Sequence, residues 1–132
     1  MALLTIGVAG CGGGHEETGY GDWFENVSNF NGTVDRTGRQ SVQIEVGAEG
    51  NGGGFAFEPA AVVVSPGTKI TWIWTGDGGE HNVVADDGSF RSEYASSVGY
   101  TYSRQFDRVD VHRYYCKPHV SLGMKGAITV EG

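Results

Sequence analysis

Two cysteines in 132 residues are too few to knit a disulfide framework, so stability has to come from a packed core. Basic side chains are scarce as well. Nine Lys and Arg stand against sixteen Asp and Glu, a net charge of -7, and only three of the nine are Lys. No stripe of positive charge exists to neutralise phosphates, which excludes nucleic acid as a partner. The apolar stretch Ala2-Leu3-Leu4-Thr5-Ile6-Gly7-Val8-Ala9 is too short to span a bilayer. Neither an internal repeat nor a helical stripe of apolar residues runs through the sequence, which removes solenoids and helix bundles from consideration.

Glycine, by contrast, is abundant: 23 residues, against a usual share of about 7%. Many cluster at Gly12-Gly13-Gly14 and over 50–54, and these read as linkers and turns. Between them lie strand signals. In Ser41-Val42-Gln43-Ile44-Glu45-Val46 apolar and polar residues alternate with the period of a half-buried strand. An apolar run over 60–64 ends at the turn Ser65-Pro66-Gly67-Thr68, and Lys69-Ile70-Thr71-Trp72-Ile73-Trp74 puts Ile70, Trp72 and Trp74 on one face as core. Further strands are expected over 82–85, 100–106, 111–116 and 126–130. Short strands separated by turn signals predict an all-β sandwich of one domain.

The chemistry is concentrated in Cys116-Lys117-Pro118-His119-Val120-Ser121-Leu122-Gly123-Met124, which holds a thiol, an imidazole and a thioether within nine residues, with His81 upstream. Taken singly, a Cys is usually a small buried apolar residue and a Met a filler of core gaps. Together, in a chain with two Cys, two Met and four His, they make the ligand list of a blue-copper site. One soft sulfur and two imidazoles suit a trigonal plane, and a weakly held thioether suits its axis. Zinc favours four firm ligands. A strand ending at Cys116 and followed by a tight loop returns His119 and Met124 to one point, with Pro118 and Gly123 supplying the turn chemistry.

Tyr114-Tyr115-Cys116-Lys117-Pro118-His119, Gly123-Met124-Lys125-Gly126 and Glu80-His81-Asn82-Val83-Val84 resemble the plastocyanin branch of the cupredoxins. Gly32-Thr33-Val34-Asp35-Arg36-Thr37-Gly38, Val46-Gly47-Ala48 and Phe55-Ala56-Phe57-Glu58-Pro59 are similar to the halocyanins, its haloarchaeal members. The resemblance implies a Greek-key sandwich with one type 1 copper ion, cycling between Cu(I) and Cu(II), at one end. It makes His81, Cys116 and His119 the equatorial ligands and Met124 the axial one. It places Asn82 and Pro118 around them, the Asn82 backbone amide donating to the sulfur, and makes Pro118, Val120 and Leu122 a docking patch around an exposed His119. The implied function is a monomeric electron carrier between membrane redox proteins, not an enzyme. An acidic, Lys-poor surface fits such a protein in strong brine.

Two rival functions set the test. A copper oxidase or nitrite-reducing enzyme needs a second, His-rich centre, and four histidines with two already used cannot build one within this chain. A copper-handling or metal-free cell-surface module remains the alternative. His112 stands four residues before Cys116, about 13 Å along a strand. That is too far to share the ion, so it is read as a core or corner residue holding a hydrogen bond, while His15 has no assignable partner.

The N-terminal segment carries an address. Residues 1–10 resemble the end of an export signal, and Val8-Ala9-Gly10-Cys11 matches the pattern of a lipoprotein, with Cys11 as the lipid attachment and the chain held on the extracytoplasmic face of the membrane. Residues 11–38 read as a Gly-rich tether with local packing through Trp23, Phe24 and Phe30, and 39–132 as the copper domain. Asn26-Val27-Ser28 and Asn31-Gly32-Thr33 are glycosylation sequons.

Overall fold

The computed structural model describes residues 19–132. Its strands are β1 (Val34–Asp35), β2 (Ser41–Gly50), β3 (Gly53–Glu58), β4 (Ala61–Val64), β5 (Thr68–Trp74), β6 (Val84–Ala85), β7 (Thr101–Phe106), β8 (Asp110–Tyr115) and β9 (Lys125–Val130). They form two mixed sheets, in the orders β1-β4-β9-β8-β6 and β3-β2-β5-β7. The pairs β2–β5, β4–β9 and β1–β4 are parallel, and the remaining pairs antiparallel.

Alternation along the strands sets which side chains meet between the sheets. Val42, Ile44 and Val46 of β2, with Ile70, Trp72 and Trp74 of β5, pack against Val62, Val64, Tyr114, Ile128 and Val130 of the opposite sheet. Trp72 is fully buried, with the rings of Phe90, Tyr102, Phe106 and Tyr114 around it. Burying one such side chain contributes about 1.5–3 kcal/mol before entropy is counted. The tryptophans are thus core residues, as their period requires.

All four residues of β4 are buried. A strand covered on one face would alternate, so a second layer must lie outside the sheet. That layer is the chain before β1. Tyr20, Phe24 and Val27 pack with Ala60, Ala61 and Ala127, Phe24 stacks on Phe30 at 4.1 Å, and the Tyr20 hydroxyl meets Thr33 Oγ1 at 2.8 Å. The stretch read as a tether over 11–38 is therefore a packed strap from Tyr20 onward. Its backbone closes in tight turns, Trp23 N–H to Tyr20 and Val27 N–H to Phe24, which carry no period for a sequence reading to detect. Cys11, His15 and the export-signal residues lie outside the described residues. Asn26 and Asn31 of the sequons are exposed.

The strand expected over 82–85 is shorter, with only Val84 and Ala85 pairing with β8. The glycines of 50–54 are only partly turn: β2 and β3 form a hairpin about Asn51 and Gly52. His112 lies half-buried on β8, where its Nε2–H donates to the Arg108 carbonyl at 3.0 Å and its ring packs on Phe106. It holds the hydrogen bond expected of it.

Candidate metal centre

His81 emerges from the turn-rich segment after β5, fixed by paired backbone bonds with Ala95 of 2.9 and 3.0 Å. The indole N–H of Trp74 donates to the Ala95 carbonyl at 2.9 Å and, more weakly, to that of His81 at 3.3 Å. The His81 side chain is buried, and its Nε2–H donates to the Asp77 carbonyl at 2.7 Å. That bond fixes the tautomer: Nδ1 keeps its lone pair and faces inward. The chain passes so close to this ring that glycine is required. A Cβ on Gly78 would run into the Gly54 carbonyl oxygen and stand 2.9 Å from His81 Nε2.

Cys116 follows the last residue of β8 and is fully buried. The next residues, Lys117–Leu122, form a 3-10 turn entered through Pro118 and closed by Gly123 in the left-handed conformation (φ 106°). Within it the His119 N–H donates to the Cys116 carbonyl, the Met124 N–H to the His119 carbonyl and the Cys116 N–H to the Met124 carbonyl, at 3.1–3.2 Å. The loop is thereby closed on itself. Met124 is buried in the same apolar cluster as Cys116, and Leu122 is 47% exposed.

Three donor atoms meet at this end of the sandwich. Cys116 Sγ lies 3.6 Å from His81 Nδ1 and 3.5 Å from His119 Nδ1, and the two nitrogens are 3.2 Å apart. An ion with bonds of about 2.0 Å to nitrogen and 2.3 Å to sulfur, in a plane with angles near 120°, requires edges of about 3.5–3.8 Å. The observed triangle fits such an ion with the His–His edge slightly closed. Charge state agrees in part. Burial lowers the pKa of both imidazoles, opposed at His81 by the Asp77 carbonyl and reinforced at His119 by the neighbouring His81, so both are held in the neutral ligand form. Burial pushes the Cys116 thiol up, while the backbone N–H groups of Asn82 and His119 approach the sulfur and favour the thiolate. A metal ion completes that deprotonation.

A family model described as "Copper binding proteins, plastocyanin/azurin family" matches residues 42–131. The chain belongs to that family. A halocyanin of Natronomonas pharaonis is 46% identical over 101 residues, 74% of this chain and 61% of the relative. The chain thus spans about three fifths of that protein's length. A plastocyanin of Scenedesmus fuscus is 34% identical over 100 residues, 68% of this chain and 99% of the relative. Among solved structures, a pseudoazurin of Methylobacterium extorquens AM1 is 28% identical with a TM-score of 0.53, covering 68% of this chain and 74% of its own. A copper-containing nitrite reductase of Thermus scotoductus SA-01, at 20% identity and TM-score 0.56, covers 70% of this chain and 22% of its own, and shows the fold alone.

In this plastocyanin-like, halocyanin-like cupredoxin the triangle His81, Cys116 and His119 is the site of one type 1 copper ion. One feature escaped the sequence. Asn82, expected to act through its backbone, also uses its side chain: the buried Oδ1 accepts the Lys117 N–H at 2.9 Å, tying the His81 segment to the Cys116 loop. A second is Phe55, whose ring lies 4.7 Å from that of His119. Neither contact is signalled by local pattern: the first joins the segments flanking the paired strands β6 and β8, and the second depends on how β3 of one sheet stacks against the loop after β8 of the other.

Proposed function

We propose that the protein is a small blue-copper electron carrier that passes single electrons between redox partners at a membrane. The observation that carries this reading is the donor triangle itself, one sulfur and two neutral imidazoles with edges of 3.2–3.6 Å. Copper supplies a one-electron couple in such a donor set. The chain's own part is to keep the donors from moving. His81 is fixed by the Asp77 carbonyl and by burial, Cys116 by its bond to the Met124 carbonyl, and His119 by Phe55 and the closed loop. Donors held in this way have little to rearrange on a change of charge, which favours fast transfer.

Met124 is read as the axial ligand, because it is buried beside Cys116 and its backbone closes the ligand loop. His119 is half-buried at the surface, and Pro118, Val120 and Leu122 around it form the contact face for a partner. The lipoprotein-like pattern Val8-Ala9-Gly10-Cys11 supports attachment to the extracytoplasmic face of the membrane through Cys11. Equilibrium redox titration of the copper-loaded protein tests the reading: an intense visible band should bleach and return with one electron, and Cys116→Ala should abolish it. A copper-handling or adhesion module would bind copper, or none, without that reversible band, and this result would refute the carrier.

A further inference from the structure

Met124 stands between residues that the N-terminal strap holds. On one side, the Asn26 carbonyl oxygen occupies the place a Cβ on Gly123 would need, so strap and loop are in backbone contact there. On the other, Trp23 Nε1–H donates to the Gly126 carbonyl at 2.9 Å, and the Lys125 ammonium donates to the Trp23 carbonyl at 3.2 Å while lying 5.0 Å from its ring centre. The strap precedes residue 42, where the family model begins.

Asn51 is the joint. It occupies the β2–β3 turn with φ 58°, the one positive φ among the described residues outside glycine, a conformation that L-residues other than Asn and Asp rarely take. Its amide Nδ2–H₂ donates to Phe55 O at 2.8 Å and Gly123 O at 3.0 Å, its Oδ1 accepts the Ser28 N–H at 2.8 Å, and its own N–H donates to Ser28 Oγ at 2.6 Å. Closing the hairpin accounts for the Phe55 bond alone. The others reach 23 residues back to the strap and 72 forward to the ligand loop.

We propose that the strap, acting through the Ser28–Asn51 pair, is a positioning element for the Met124 end of the copper loop. It sets the distance at which the thioether stands from the ion, and with it the reduction potential. The inference rests on the reading of Met124 as axial ligand.

Asn51→Gly tests it, because glycine accepts φ 58° and removes only the amide. In the copper-free protein, hydrogen exchange at the Gly123 and Met124 amides should quicken about fivefold, the change expected for one lost hydrogen bond. In the loaded protein the potential should rise and the visible band should shift, with Ser28→Ala moving both in the same direction. Val42→Ala, a core substitution at the far end of β2, serves as the control for lost stability and should leave both at the wild-type value. Unchanged exchange or unchanged potential in Asn51→Gly overturns the proposal, as does an equal change in the control. A wild-type protein without a blue band refutes the carrier reading instead, and the exchange measurement still decides whether the strap holds the loop.

Discussion

Gly78 and Gly79 offer a matched pair for testing how tightly the chain is wrapped around His81. They have nearly the same backbone conformation, φ 83° and 81°, but a Cβ at Gly79 would meet nothing within 4 Å. At Gly78 it would collide with the Gly54 carbonyl oxygen and stand 2.9 Å from His81 Nε2. Alanine at either position pays the left-handed cost, about 1–2 kcal/mol. At Gly78 an overpacking cost of about 1–3 kcal/mol is added, because the obstacle is backbone that cannot swing aside. The melting temperature of the copper-free protein should therefore fall by roughly 5–10 °C in Gly79→Ala and by roughly 10–25 °C in Gly78→Ala. Displacement of the ring should also disturb the 2.7 Å bond from Nε2–H to Asp77. Loss of such an outer partner costs about 10–100-fold in metal affinity, so a chelator competition titration should show weakened copper binding in Gly78→Ala alone. Equal melting temperatures and equal affinities for the two variants would refute the argument that the His81 cradle is sterically closed.

Three further outcomes follow from other parts of the molecule. Met124→Leu should retain the visible band and raise the reduction potential, since it removes a weak electron-rich donor; an unchanged potential in voltammetry would argue against axial ligation. Leu122→Asp, at an exposed loop position, should slow electron exchange with a membrane redox partner in stopped flow and leave the copper spectrum unaltered, and an unaffected rate would remove this face from the docking surface. Burial holds the Tyr114 phenol far above its ordinary range, against a smaller opposite pull from the Trp72 indole. Above about pH 10 the unfolded chain alone releases that proton, so the copper-free protein should lose about 1.4 kcal/mol of stability per pH unit from this group. Urea unfolding should show that Tyr114→Phe lacks this part of the slope; parallel curves for the two proteins would contradict it.

The residues of the donor triangle could be read from sequence because three of the four named ligand positions sit within one loop, and a loop's closure is a local property. Pro118 and Gly123 announce the turn, and the strand before it stops at Tyr115, one residue short of the end at Cys116 expected from sequence. β2 and β5 were legible for the same reason, their apolar residues falling with a period of two. The strap was less so. Tyr20, Trp23, Phe24 and Phe30 are irregularly spaced and follow a Gly-rich stretch, and only the buried outer face of β4 reveals that something must cover it. β3 starts at Gly53 and was partly hidden among glycines. The roles of Asn51 and of the Asn82 side chain were invisible, because each joins segments far apart in the chain through a single polar group.

The buried Cys116 thiol bears on how the empty chain fares before it meets its ion. Thiolates, not thiols, attack disulfides and react with peroxide, and here the sulfur is both withheld from solvent and biased toward its protonated state. The copper-free protein should consequently be slow to form mixed disulfides or sulfenic acid when exposed to an oxidant. The same burial that shields the sulfur should make copper enter through the half-buried His119.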